Sequence, residues 1–214
     1  MSKLILETLD TKRINAFNKL KSFKSLGILG GGTALALQIG HRKSYDFDIF
    51  VKEEINKLVW KKVKEVFGES SYKTLDTPEQ LNLVTPDSIN ITFFLDDYKS
   101  MFPNIENEYI DLMDIRDIAA NKALIQGKRP KWRDYVDLYF IIRDKYLSLD
   151  EIINVAIKKF GTDFSQKLFL EQLVYWGDIY NYEIDFVGDE IQIETVKSFL
   201  ENEVREYSNK KLNL

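Results

Sequence analysis

The period of the hydrophobic positions changes several times along the chain. In residues 10–25, Ile14, Phe17, Leu20 and Phe23 recur at near-helical spacing. A short apolar run at 27–29 predicts a strand that leads into three glycines, Gly30 to Gly32. The Ala/Leu-rich segment 34–39 predicts a helix capped by Thr33 and closed by Gly40. Residues 45–51 then alternate strictly. Tyr45, Phe47, Ile49 and Val51 fall on one side, and Asp46, Asp48 and Phe50 on the other. That period of two predicts a strand with one core face. Helical spacing returns over 53–67, with Ile55, Leu58, Val59, Val63, Val66 and Phe67 facing inward and Gly68 ending the helix.

Three strand-like runs follow, at 71–75, 81–85 and 88–95. Pro86-Asp87 makes a tight turn, so the last two should pair as a hairpin. Residues 96–107 read as a loop, and 109–112 as one more short strand. From Asp114 on, the pattern is helical. Asp114 caps a helix to about Gln126 with Gly127 as its stop, and Pro130 suits the first turn of a helix reaching about Lys145. Ser148-Leu149-Asp150-Glu151 is a capping box opening a helix to Phe160, and two more helices are expected near 163–176 and 193–208. The expected fold class is α+β: an α+β core at 1–112 and a helical part at 113–214.

Composition narrows the chemistry. The 214 residues include no cysteine and one histidine, His41, which excludes thiolate sites and any site built from several histidines. A metal would sit on carboxylate oxygens, favouring Mg²⁺ or Mn²⁺. No apolar run approaches the roughly 20 residues that span a bilayer. The start of the chain lacks a signal peptide's apolar core. The expectation is a cytoplasmic protein with no membrane partner. A net charge of −4 excludes a uniformly basic nucleic-acid binder, yet Lys128, Arg129, Lys131 and Arg133 form a local basic group.

Candidate chemistry gathers in two places. Asp46 and Asp48 share one strand face and can share a hard cation, although a merely solvated strand face would look the same. The glycines beside them tip the balance. Gly31, Gly32 and Thr33 at a helix start can offer amide N–H groups to a phosphate. Arg42 can hold a phosphate, and Ser44 can bond one or position the turn; His41 reads as a turn residue. The second place is 117–137. Lys122 runs its stem over apolar surface and can point its ammonium at triphosphate oxygens. Asp134 and Asp137 share a helix face opposite a core-facing stripe of Trp132, Tyr135, Val136 and Tyr139. One of them can act as a base or complete a metal site. The alternative is an Arg133–Asp137 ion pair on a wet helix.

In order and spacing over residues 29–140, these motifs resemble the AbiEii/AbiGii-type nucleotidyltransferases, the toxin half of abortive-infection toxin–antitoxin pairs. The matching residues are Gly31-Gly32-Thr33-Ala34-Leu35-Ala36-Leu37 and His41-Arg42-Lys43-Ser44-Tyr45-Asp46-Phe47-Asp48-Ile49-Phe50. Further on come Asp117-Ile118-Ala119-Ala120-Asn121-Lys122 and Arg133-Asp134-Tyr135-Val136-Asp137-Leu138-Tyr139.

The resemblance implies a nucleotidyltransferase fold, a small mixed sheet flanked by helices, with a helical C-terminal part that completes the active site. It implies a nucleoside triphosphate with Mg²⁺ or Mn²⁺, a tRNA or other macromolecular acceptor, and a cognate antitoxin. Asp46 and Asp48 would hold the metal, and Gly31, Gly32, Thr33, Arg42 and Ser44 the phosphates. Lys122 would neutralise the leaving pyrophosphate. Asp137, with Asp134 second, would be base or third metal ligand. One departure stands out: residues 89–94 carry no third strand carboxylate. A catalytically inactive nucleotide- or partner-binding module and a protein-nucleotidylating enzyme are the alternatives.

Overall fold

In the computed structural model, which describes residues 4–126, 128 and 131–212, the chain forms two compact units, 1–114 and 115–214. Among the described residues of the first unit, five strands make one sheet in the order β1-β2-β5-β4-β3. They are β1 (Gly27–Gly30), β2 (Phe47–Val51), β3 (Tyr72–Asp76), β4 (Gln80–Val84) and β5 (Asn90–Leu95). β2 runs parallel to β5, and the other neighbours are antiparallel. The expected hairpin is β4–β5, closed where the Thr85 N–H donates to the Ile89 carbonyl at 2.9 Å. Residues 109–112 make isolated bridges, Leu112 to Leu29 and to Ile105, in place of a full strand.

Alternation divides the sheet into two faces. Phe47, Ile49 and Val51 of β2, Leu81 and Leu83 of β4, and Ile91 and Phe93 of β5 are all buried. Three helical segments supply apolar partners for that face: α1 (Thr11–Lys19), the 3₁₀ turn Leu20–Phe23 that continues it, and α3 (Lys57–Phe67). Phe23 packs on Phe93 at 5.4 Å and on Phe67 at 5.9 Å between ring centres. On the other face Asp48, Phe50, Asn82, Thr92 and Phe94 keep partial exposure.

Local chemistry moves several boundaries. The helix α3 starts at Lys57, because the Asn56 side chain accepts the Leu58 N–H. Leu58, about 100° around the helix from buried Val59, falls on the outer side, 72% exposed, and not in the core. Tyr45 lies ahead of β2, exposed, with the Arg13 guanidinium 4.6 Å from its ring centre; it is not on the core face. The helix α2 (Gly31–Ile39) starts at the glycines, with Gly30 as N-cap, so Thr33 lies inside the first turn and does not cap it.

The second unit comprises α4 (Ile115–Gln126), α5 (Trp132–Arg143), α6 (Leu149–Phe160), α7 (Gln166–Leu173) and α8 (Ile193–Leu212). The expected stop at Gly127, the Pro130 first turn and the basic Arg129 lie outside the described residues. α5 has no broad wet side: Tyr135 to Ile142 are all buried, Asp137 among them. The Tyr135 hydroxyl lies 2.9 Å from the Gln172 carbonyl and 3.0 Å from that of Tyr175, tying α5 to the end of α7. Burial pushes its phenol pKa up. No described helix is long and apolar enough to cross a membrane.

The capping box at Ser148 forms as expected. Its Oγ accepts the Glu151 N–H, and its own N–H donates to Glu151 Oε2 at 2.7 Å. That backbone bond is the main cause holding the Glu151 carboxyl below its ordinary value. Ser148→Ala should cost about 1 kcal/mol in urea unfolding. Because the folded pKa of Glu151 is lowered, its contribution is present above the unfolded value and lost as pH falls through the folded one. The stability gap between wild type and Glu151→Ala should be widest at neutral pH and close in acid.

Candidate active site

Gly31 begins α2 with a φ of +62°, a region where a side chain is strained. Space is also short there. A Cβ at Gly31 would collide with Asp48 Oδ2 and stand 3.2 Å from the Asp48 Cβ and Cγ. Gly30, paired with Asp48 across β1 and β2, lies under the Phe50 ring with no room for a Cβ. The start of α2 thus lies directly against one carboxylate. Gly30, as N-cap, has no side chain to satisfy the first amides of the helix.

Thr33 and Ser44 hold the segment before β2. Thr33 Oγ1 and Ser44 Oγ are 2.7 Å apart, and Thr33 also donates to the Asp46 carbonyl. The Ser44 N–H donates to the Thr8 carbonyl at 3.0 Å. Both side chains are buried, and these bonds tie Ser44 to the turn. Arg42 is buried too and donates to the Lys43 carbonyl at 3.0 Å; His41 is buried beside it.

Asp46 sits one residue before β2, and its Oδ1 accepts from Asn90 Nδ2 at 3.0 Å. Asp48 pairs in register with Thr92. Asn90 and Thr92 therefore occupy the β5 positions facing the two aspartates. The sequence displays them as the polar half of an alternating strand. What it does not display is the parallel β2–β5 pairing, because two other strands intervene in the chain.

Asp46 and Asp48 suit a hard divalent cation by donor chemistry. The missing Cβ at Gly31 leaves Asp48 the space a bulkier residue would fill. Among the described residues, no group of three or more acidic or histidine side chains is placed to hold a metal. The pair would take its remaining ligands from a bound substrate or water.

In the second unit, the Lys122 ammonium lies 2.7 Å from Asp134 Oδ1 and 2.5 Å from Asp137 Oδ2. The Asp137 side chain is fully buried, whereas Asp134 keeps 14% exposure. Burial on this scale rules out the wet-helix reading of Asp137. Asp117, at the start of α4, pairs with Lys159 of α6 at 2.7 Å, both buried. Sequence reading missed Lys159, which sits in an ordinary Lys-Lys end of an amphipathic helix.

The profile described as "Nucleotidyl transferase AbiEii toxin, Type IV TA system" matches residues 16–211. The chain belongs to the AbiEii nucleotidyltransferase toxin family. It is 30% identical over 200 residues to the uncharacterized protein aq_aa25 of Aquifex aeolicus strain VF5, covering 88% of this chain and 93% of that one. MenT4, the nucleotidyltransferase toxin Rv2826c of Mycobacterium tuberculosis H37Rv, shares the fold with a TM-score of 0.62 at 14% identity. That match covers 90% of this chain and 80% of MenT4. JHP933 from Helicobacter pylori superposes with a TM-score of 0.58 at 18% identity, covering 96% and 98%. As an AbiEii protein the chain is a nucleotidyltransferase that uses a nucleoside triphosphate, and its type IV toxin–antitoxin family implies an antitoxin partner.

Gly31→Ala tests the contact at the helix start. A side chain at positive φ costs about 1–3 kcal/mol, and this one also displaces the Asp48 carboxylate. Gly161→Ala is the control, since its φ is +54° with nothing within 4 Å of the added Cβ. Both variants should lose stability in urea. Only Gly31→Ala should lose most of its nucleotidyl transfer, measured by incorporation of labelled nucleotide.

Proposed function

We propose that this chain transfers a nucleotide from a nucleoside triphosphate to an RNA acceptor, tRNA being one candidate, with Mg²⁺ or Mn²⁺ held by Asp46 and Asp48. The observation that carries this reading is the Asp48 carboxylate lying against Gly31, at the side-chain-free start of α2. The amides of Gly31, Gly32 and Thr33 face the triphosphate. Ser44 keeps Thr33 and the Asp46 backbone in place, and Arg42 adds positive charge behind the turn. The cation, when bound, neutralises charge on the phosphates.

The acceptor hydroxyl oxygen bonds to the α-phosphorus as the bond to the pyrophosphate oxygen breaks. Pyrophosphate leaves with that electron pair, and the hydroxyl proton passes to a carboxylate. Such chemistry asks mainly for positioning and electrostatics. Within the second unit, Lys122, Asp134 and Asp137 form one close cluster of charges. Asp134 is the more open of its two carboxylates, keeping 14% exposure. An RNA acceptor is supported by exposed Lys128, Lys131 and Arg133, clustered between Lys122 and Asp137 in sequence.

Asp48→Asn should abolish incorporation of labelled nucleotide while leaving the circular dichroism unchanged. Nucleotide with Mg²⁺ should stabilise the wild type by about 2.7 kcal/mol at 100 times its dissociation constant. A shift without incorporation into any macromolecule would mean a binding module. No shift with any of the four nucleotides would overturn the reading.

Lys128→Ala with Lys131→Ala should weaken RNA binding and flatten its dependence on salt. Every single-strand phosphate that a lysine no longer neutralises lowers the logarithmic salt slope by about 0.7. An unchanged slope, read by anisotropy across a salt series, would remove the support that this cluster gives to RNA.

A further inference from the structure

The sheet face beside Asp46 and Asp48 carries side chains that the phosphate and metal assignments leave unused. In one register row lie Gly30, Asp48, Thr92 and Asn82; in the next lie Phe50, Phe94 and Gln80. Gln80 Nε2 donates to Asn82 Oδ1 at 2.8 Å, so the two amides sit side by side. The Phe50 and Phe94 rings are 5.6 Å apart with an interplanar angle of 32°. All four residues are partly exposed, and none of these positions carries a cation.

We propose that this patch on β4 and β5, with Phe50 of β2 at its edge, is the acceptor subsite: it seats the terminal nucleoside of the nucleic acid, its base against Phe94 beside Phe50 and its edge read by Asn82 and Gln80. The inference rests on the nucleotidyltransferase reading above and adds the side from which the acceptor enters. Direction comes first. The α2 start lies on the β1 side of Asp48, so the pyrophosphate end of the substrate belongs there. In-line displacement brings the attacking oxygen in opposite the leaving one, which is the β5 side.

Length agrees as well. Strands stand about 4.8 Å apart, so Asn82, two strands from Asp48, is about 10 Å away, within the span of a ribose and its base. Chemistry is the third reason. Paired rings offer a stacking surface to any base, and side-chain amides match the donor and acceptor pattern of base edges. A patch without cations suits a base and not a phosphate.

The test uses the full chain and four 5′-labelled oligoribonucleotides that differ in their terminal base alone. The wild type should bind them with unequal affinity. Asn82→Ala with Gln80→Ala should bring the four within about twofold of one another. Phe94→Ala should weaken all four roughly tenfold, the range for loss of one stacked base. The isosteric variants Asn82→Asp and Gln80→Glu, made one at a time, guard against misfolding, and each should change the order of preference by replacing a donor with an acceptor. Stabilisation by nucleotide and Mg²⁺ should survive in every variant.

An unchanged order in the amide variants would overturn the subsite while leaving the nucleotidyltransferase reading standing. Labelling of a protein but no oligonucleotide by the wild type would overturn it too. Loss of nucleotide stabilisation already in the wild type would bring down the underlying reading and this inference with it.

Discussion

The first unit depends on one close approach: the start of α2 against Asp48. Helix and strand can come this near only because Gly30 and Gly31 have no Cβ. A carboxylate beside helix-start amides is electrostatically favourable, since the helix dipole is positive there. The neighbouring contacts serve the same geometry. Phe50 fills the space over Gly30, and Thr33 ties α2 to Ser44 and to the Asp46 backbone. Buried hydroxyls of this kind must be bonded, because an unpaired one costs about 1–3 kcal/mol. The latch therefore fixes the two aspartates relative to the helix start.

The second unit solves a different problem, that of charge in a buried place. α4 carries Asp117 and Lys122, and each meets its opposite on another helix: Lys159 of α6 for the first, Asp134 and Asp137 of α5 for the second. Removing one partner of such a pair costs about 3–5 kcal/mol, because the other charge is left in low dielectric. Intact, such pairs add little net stability, since well-packed apolar groups of the same volume do as well energetically. The Asp117-Ile118-Ala119-Ala120-Asn121-Lys122 motif is thus two anchors on one helix, one toward α6 and one toward α5.

Much of this was legible because local rules and tertiary demands agree. The strict alternation around Asp46 and Asp48 gave β2, and Ser148 with Glu151 gave the start of α6 to the residue. Legibility failed where the rule was correct but the boundary moved. Tyr45 fits the alternation, yet the strand begins two residues later and leaves it outside. Leu58 is apolar but lies about 100° around the helix from Val59, off the stripe that Val59, Val63 and Phe67 bury. Thr33 has a capping residue's chemistry and spends it on Ser44 and Asp46. Asn90 and Lys159 were invisible for another reason: their partners are distant in the chain, and only the assembled sheet or bundle brings them close.

The absence of a third strand carboxylate then acquires a physical meaning. A carboxylate at the position of Asn90 would face Asp46 with like charge, and at 4 Å such a pair repels by roughly 4 kcal/mol at an effective dielectric of 20. Asn90 donates a hydrogen bond instead, which orders the Asp46 carboxylate. The consequence is a cradle ordered in advance but poorer in anionic ligands. On the proposed reading, two protein carboxylates leave most of a cation's coordination to be filled, and triphosphate oxygens are the hard donors that come with the substrate. Cation and nucleotide would then bind as one unit, each weakly retained alone. On that reading, their joint arrival at Asp46 and Asp48 would make substrate binding itself the event that completes the site.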